Sequence, residues 1–339
     1  MSLARPVYAG DIVLVTHRCS GQLARFRPSK EVNEIIMYCL ARAARRHGIE
    51  VLAFVIMSNH LHIALRDPKR ALPSFAQDFH STLARALNFE QKTGGYVFGP
   101  GSYRKQTLVT PQSLYKEIAY IMANPVAANC VREPRQWPGL ITLPHELGRR
   151  TFTARRPRFF RDPAQDEGAL TGDETARERH RLNYGEQEGE EEAEDEDPMR
   201  DVESLTLVLP PMLPDGSSSA GRASDVRRAA VDWLARELEK VHEERRKAGI
   251  RGWVGAQKVR RQDPKQPPRA VTGKPTGERN PRFATLDRKV GREQAEATNG
   301  WLKLYAAAQR AWSGGDVKVI FPAGTWLAPR LWGARAHPA

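Results

Sequence analysis

The chain has 339 residues, with 53 Lys and Arg against 40 Asp and Glu, a formal charge of +13 and a pI near 9.9, a balance that favours a polyanionic partner, nucleic acid above all. Its longest strongly apolar run, Val51 to Met57, is far short of the roughly 20 residues a membrane-spanning helix needs, and no charged-then-apolar leader opens it, so neither a membrane protein nor a secreted one is expected. Cys19, Cys39 and Cys130 are few and far apart, which fits neither a disulfide framework nor a zinc site and leaves a cytoplasmic protein, nucleoid-associated when bound to DNA, as the expectation.

Residues 1–150 hold 20 Lys and Arg against 10 Asp and Glu, so the polyanion site is expected there. Asp11 to His17 (DIVLVTH) is β-branched and reads as a strand. Ser29 caps a helix with Val32, Ile35, Ile36 and Leu40 at helical spacing, ending at Gly48. Val51 to Met57 reads as a buried strand, Ser58-Asn59 as a turn, and His60 to Leu65 as the returning strand. A second helix carries Leu72, Phe75, Phe79, Leu83 and Leu87 on one face, with Gly94-Gly95 after it. A short strand near Lys105 to Val109 precedes a third helix, opened by Thr110-Pro111 and running into Asn124-Pro125. This order predicts an α+β fold, an antiparallel sheet with packed helices.

A disordered linker is expected over 148–223, because periodicity is lost and the acidic run Glu186 to Asp197 cannot bury apolar surface. That run reads as a solvated tether or as an acidic DNA mimic competing for the basic face. A small α-rich module is expected over 224–339: a helix from Ser224 to Gly249, a basic proline-rich stretch, an aromatic helix with Trp301, Leu304, Tyr305 and Trp312, and a strand from Val317 to Phe321. The tryptophans lie on apolar stripes, which favours core packing over base stacking.

The densest chemical signal is FVIMSNHLHI, Phe54 to Ile63. Strand alternation puts His60 and His62 on one face, Leu61 and Ile63 on the other. Two imidazoles about 7 Å apart can converge on one metal ion, given a third ligand. The plainer alternative is two histidines on the polar face of an edge strand. In the third helix, Leu114, Ile118 and Ile121 form the apolar face, while Glu117, Tyr120 and Asn124 share the adjoining one. A phenol and an amide oxygen are thus presented from one surface. Glu117 reads either as a supporting ligand or proton acceptor, or as a surface carboxylate. Tyr115 is a rival nucleophile on a different face from Asn124.

MSNHLH at 57–62, YIMANPV at 120–126 and the Pro134 to Gly139 turn together make the chain resemble the single-tyrosine HUH transposases. Within them it is most similar to the REP-associated tyrosine transposases and their insertion-sequence relatives. That family commonly shows M-P-N-H-x-H followed by Y-I-x-x-N-P-V; here Ser58 replaces the proline, and Ala127-Ala128-Asn129 is a less usual continuation. The resemblance covers about residues 7–145, so a catalytic domain is placed at 1–147, and it implies a HUH/ferredoxin-like fold. It further implies His60 and His62 as the metal pair, Asn124 as third ligand, Mg²⁺ or Mn²⁺ as cofactor, and Tyr120 as nucleophile forming a 5′-phosphotyrosine on single-stranded or hairpin DNA. Homodimerisation stays open, since insertion-sequence relatives can place the tyrosine of one subunit in the site of the other. Softer matches at Trp253-Val254-Gly255 and Phe321 to Thr325 resemble C-terminal extensions of some bacterial members and imply no activity. Candidate DNA contacts are Arg18, Arg25, Arg27, Arg45, Arg46, Arg104 and Lys105. The rival readings are a DNA-binding regulator that keeps the fold without catalysis, and a plasmid-type replication initiator.

Overall fold

The structure is a computed structural model; it describes residues 5–99, 103–161, 200–268 and 282–338. Strands β1 (Asp11–Arg18), β2 (Glu50–Ile56), β3 (His60–Asp67), β4 (Arg104–Leu108) and β7 (Phe283–Ala284) form one sheet in the order β2-β3-β1-β4-β7. The pairings are antiparallel except β4 with β7, and the fold is mixed α+β as expected.

Helices α1 (Lys30–His47) and α2 (Leu72–Glu90) cover one face of the sheet. There they enclose Val13 and Val15 of β1, Phe54 and Ile56 of β2, and Leu61, Ile63 and Leu65 of β3. Helices α3 (Pro111–Ala127) and α4 (Ala223–Lys247) cover the other face, over Leu14, Val55, Ala64 and Leu108. Two-residue alternation along each strand produces this division. The α1 boundaries follow from local chemistry: Ser29 accepts a hydrogen bond from Val32 N at 3.1 Å, and Gly48 closes the helix at φ 64°, a left-handed conformation that a Cβ disfavours. Thr110 and Ser113 form a capping box for α3, which continues through Pro125 to Ala127.

The expectation of a structureless stretch over 148–223 is corrected at both ends. Strands β5 (Thr151–Arg155) and β6 (Val202–Thr206) pair antiparallel and pack Phe152, Ala154 and Leu205 into the α1–α2 core. Alternation of buried and exposed residues in VESLT is short enough to escape a reading by periodicity. The acidic run 186–197 lies outside the described residues.

The expected separation of 224–339 is likewise corrected. Val226 and Ala230 of α4 and Val259 of α5 (Ala256–Arg260) are buried in the same core as α3. Beyond β7, α6 (Arg288–Ser313), β8 (Ile320–Phe321), α7 (Leu327–Trp332) and β9 (Arg335–Ala336) gather Trp301, Tyr305, Phe321 and Ala328 into their own cluster. The β8 strand is shorter than expected. This cluster holds on to the amino-terminal segment, because Val7 N donates to Gly324 O at 3.0 Å. Among the described residues no helix is long and apolar enough to cross a membrane.

Strands β2 and β4 are both covered on their outer sides by other parts of the chain. On β2, Ile56 N donates to Leu140 O and Val208 N to Val51 O, both at 2.9 Å, while Thr142 N donates to Phe54 O. The Pro134 to Gly139 turn seals this edge: Trp137 Nε1 donates to Ile56 O at 3.1 Å, and a Cβ at Gly139 would stand 2.6 Å from that nitrogen. On the other side, Thr107 N and Val109 N donate to Arg282 O and Ala284 O.

Under α2, His17 stacks on Phe98 at 4.1 Å and meets His80 edge-on at 4.4 Å between ring centroids. Burial pushes His17 down to about 4 and His80 well below its ordinary value. Both are neutral when folded and take up protons on unfolding below their ordinary pKa of about 6.5. Their contribution to stability is therefore complete above that pH and lost as pH falls towards 4. Urea titrations from pH 7.5 to 4.5 are expected to show stability falling by on the order of 1.4 kcal/mol per pH unit for each such histidine. A flat profile would show that the imidazoles are not held neutral.

Candidate active site at the His-x-His strand

His60 and His62 lie on the α3 face of β3, with Leu61 and Ile63 buried on the opposite face. Their ring centroids are 5.0 Å apart, the planes nearly perpendicular. Tyr120, projecting from α3, sets its ring 5.3 Å from that of His62. Asn124, one turn further along α3 and only 5% exposed, is near enough to influence the protonation of both His60 and Tyr120. The structure thus brings together Tyr120, Asn124, His60 and His62 from a single chain.

Each imidazole is oriented by a neighbour. His60 Nδ1 is 2.7 Å from Asn59 Oδ1, to which it donates, leaving Nε2 with a free lone pair. His62 Nδ1 is 2.9 Å from Thr16 Oγ1 on β1, while its Nε2 is buried with no hydrogen-bond partner. Burial, followed by the Arg18 charge, pushes His60 down to about 3; burial, His60 and Arg18 push His62 well down. Both are neutral, the state a metal ligand requires. Among the described residues no three His, Cys, Asp or Glu side chains gather to hold a metal ion. A donor set here is therefore two imidazoles and the Asn124 amide, with Glu117 standing apart. An orphaned buried nitrogen beside an oriented imidazole and an amide oxygen fits a divalent ion completed by water and phosphate oxygens.

Tyr120 is raised above its ordinary pKa by burial first and by Glu117 second, with Arg18 and Asn124 opposing and Glu237 adding to the rise. Glu117 is itself raised, by burial and then by Glu237 against Lys116 and Lys240. Glu237 comes from α4, which packs on α3. Neither Thr16 nor Glu237 stands out in the sequence: each reaches the site by pairing or packing across elements, which local periodicity does not encode. Tyr115 is fully buried and burial pushes its hydroxyl up to about 12.

The basic candidates divide. Arg18, paired with His60 across β1 and β3, and Arg104, paired with Thr16 across β1 and β4, are exposed on the site's face. Arg25 is a structural pin instead, its guanidinium donating to Gln91 Oε1, Asn88 Oδ1 and Thr93 Oγ1, each at 2.7 Å. Arg45 pairs with Glu203 at 2.7 Å and Lys105 with Asp11 at 2.8 Å. Arg27 Nη1 donates to Gln262 O, and Arg46 lies 3.8 Å from Asp78 on α1's outer side. Internal partners thus take up most of the positive charge expected to face DNA.

No protein-family profile matches the chain, and no curated protein matches it. Among solved structures, it is similar to a REP-associated tyrosine transposase bound to a REP hairpin, with 14% identity and a TM-score of 0.36 over 41% of this chain and 81% of that one. It is also similar to a transposase candidate from Deinococcus radiodurans, with 22% identity and a TM-score of 0.25 over 32% of this chain and 86% of that one. With both TM-scores this low, the assignment of chemistry rests on the geometry of the site.

Proposed function

We propose that the chain is a metal-assisted single-stranded DNA endonuclease and strand transferase of the transposase kind, acting through a covalent 5′-phosphotyrosine on Tyr120. The observation that carries this reading is the meeting of a half-buried tyrosine with two neutral, oriented histidines and an amide, the Tyr120 and His62 rings being 5.3 Å apart. The motif resemblance supplies the substrate class, single-stranded DNA beside a hairpin.

His60, His62 and Asn124 would hold Mg²⁺ or Mn²⁺, which as a Lewis acid polarises a phosphate oxygen. The remaining steps fall to the chain. Arg18, close enough to act on Tyr120 and both histidines, faces the phosphate charge. The Tyr120 hydroxyl is protonated at neutral pH, and Glu117, with its raised pKa, accepts the proton as Oη attacks phosphorus. The Oη–P bond forms, the P–O3′ bond breaks, and the proton passes from Glu117 to the departing 3′-oxygen. Because the phosphodiester energy is retained in the tyrosyl ester, a 3′-OH can reverse the attack and join strands without ATP.

The test is incubation of the protein with labelled hairpin-bearing single strands and Mn²⁺ or Mg²⁺, read as a covalent adduct on a denaturing gel. DNA binding with no adduct on several hairpins and both metals would favour a regulator that keeps the fold. A second measurement addresses the ion alone. Thr16→Val removes the hydroxyl that orients His62, and Mn²⁺ affinity by calorimetry is expected to fall about 10- to 100-fold. Unchanged affinity would mean that His62 does not bind the ion.

A further inference from the structure

The stretch 254–268 runs as a strap along one border of the candidate site. At one end Val254 N and Gly255 N donate to Asn129 O and Cys130 O, at 2.9 and 2.8 Å, just past the end of α3 that carries Asn124. Val259, fully buried, anchors its middle. At the other end Gln266 O accepts from Ala24 N at 2.9 Å and Gln262 O from Arg27 Nη1. The 22–27 loop in turn holds the turn before His60, because Phe26 N donates to Ser58 O at 2.8 Å and Asn59 Nδ2 donates to Gln22 O.

The strap presents Lys258, Arg260, Arg261 and Lys265, all exposed. Among the described residues none of the four has a carboxylate partner, and the single acid of the stretch, Asp263, spends Oδ1 on Lys265 N. By contrast Arg222, just before α4, and Arg228, Lys240 and Lys247 on it each have a carboxylate three or four residues away. Unpaired cations on a backbone fixed at both ends repel one another, and an extended polyanion relieves that repulsion. No large apolar side chain is exposed between 254 and 268, so the stretch lacks the apolar face a membrane-surface segment needs.

We propose that this strap is a second nucleic-acid contact, gripping through its four cations the phosphate backbone of the single strand that flanks the scissile phosphate. The choice of DNA as ligand rests on the function proposed above; the existence of a polyanion site does not.

The test uses the full chain carrying Tyr120→Phe, so that binding is read without chemistry, with and without Lys258→Ala, Arg260→Ala, Arg261→Ala and Lys265→Ala together. Binding of a labelled 30-nucleotide single strand is followed against salt. The fourfold variant is expected to lower the slope of log affinity against log salt by about 3, close to 0.7 per phosphate lost, and to weaken binding at least tenfold at low salt. A variant that exchanges Lys and Arg at the four positions is expected to retain the slope. An unchanged slope in the alanine variant overturns the proposal, as does loss of the slope in a charge-conserving variant whose thermal unfolding matches wild type, because charge would then not be what the slope reads. Binding of phosphatidylserine vesicles that the four cations support better than DNA would also overturn it. A wild-type chain that forms no adduct but loses slope on substitution would leave the strap standing and remove the proposed chemistry.

Discussion

Tyr120→Phe is expected to eliminate the covalent protein–DNA adduct and to cut strand cleavage by at least about 10⁴-fold, while changing DNA affinity less than threefold. The substitution removes one oxygen and keeps a ring of the same size against His62, 5.3 Å away. Packing survives and the nucleophile does not. The other phenol of α3 cannot substitute: Tyr115 is fully buried in the core, and burial holds its hydroxyl up at about 12. Loss of a nucleophile of this class leaves only binding and electrostatic contributions, which give no phosphotyrosine. The measurement is single-turnover cleavage of labelled DNA with denaturing-gel detection of the adduct. An adduct of undiminished yield in the variant would place the covalent bond elsewhere and remove Tyr120 from the mechanism.

Arg45→Ala is the stability counterpart. The Arg45 guanidinium donates to both Glu203 carboxylate oxygens, at 2.7 and 3.0 Å, and Glu203 is 1% exposed. Truncating the arginine strands a buried carboxylate, which costs about 3 kcal/mol or more, measured as the shift in urea denaturation at constant slope. The pair fastens β6 to α1 and lies away from the site's face of the sheet. DNA affinity of the folded variant is therefore expected to stay within twofold of wild type. A variant of normal stability but weakened DNA binding would return Arg45 to the DNA surface and reverse the assignment made from its partner.

These two residues also show what a sequence discloses and what it hides. Features governed by neighbours along the chain were legible: the Ser29 and Gly48 boundaries of α1, the two-sided pattern of β3, and the shared face of Tyr120 and Asn124 follow from capping geometry and from periods of 2 and 3.6. Features set by partners far along the chain were not. Arg25, Arg45 and Lys105 look in sequence like solvated cations, because Gln91, Glu203 and Asp11 reach them only after folding. Thr16 became visible as the support of His62 only once strand register set the two side by side. Glu237 and the strap come from beyond residue 223, where the chain was read as a separate module, yet α4 shares a core with α3. The β6 strand, five residues long, was too short to rise above the polar sequence around it.

The covering of β2 and β4 by the chain's own segments has a kinetic consequence. Residues 140–142 and 208 cover β2, and 282–284 cover β4, so no row of unpaired backbone groups is left on these strands for another copy to extend. The four side chains at the candidate centre also come from one chain. Under the function proposed above, a centre completed within one chain would give an adduct yield per chain that does not change on dilution. Tyr120 is the phenol whose ring meets the histidine pair, so under that same function one strand end would be held covalently at a time. In any joining reaction the released 3′ end would then have to be retained by non-covalent grip alone until the ester is resolved.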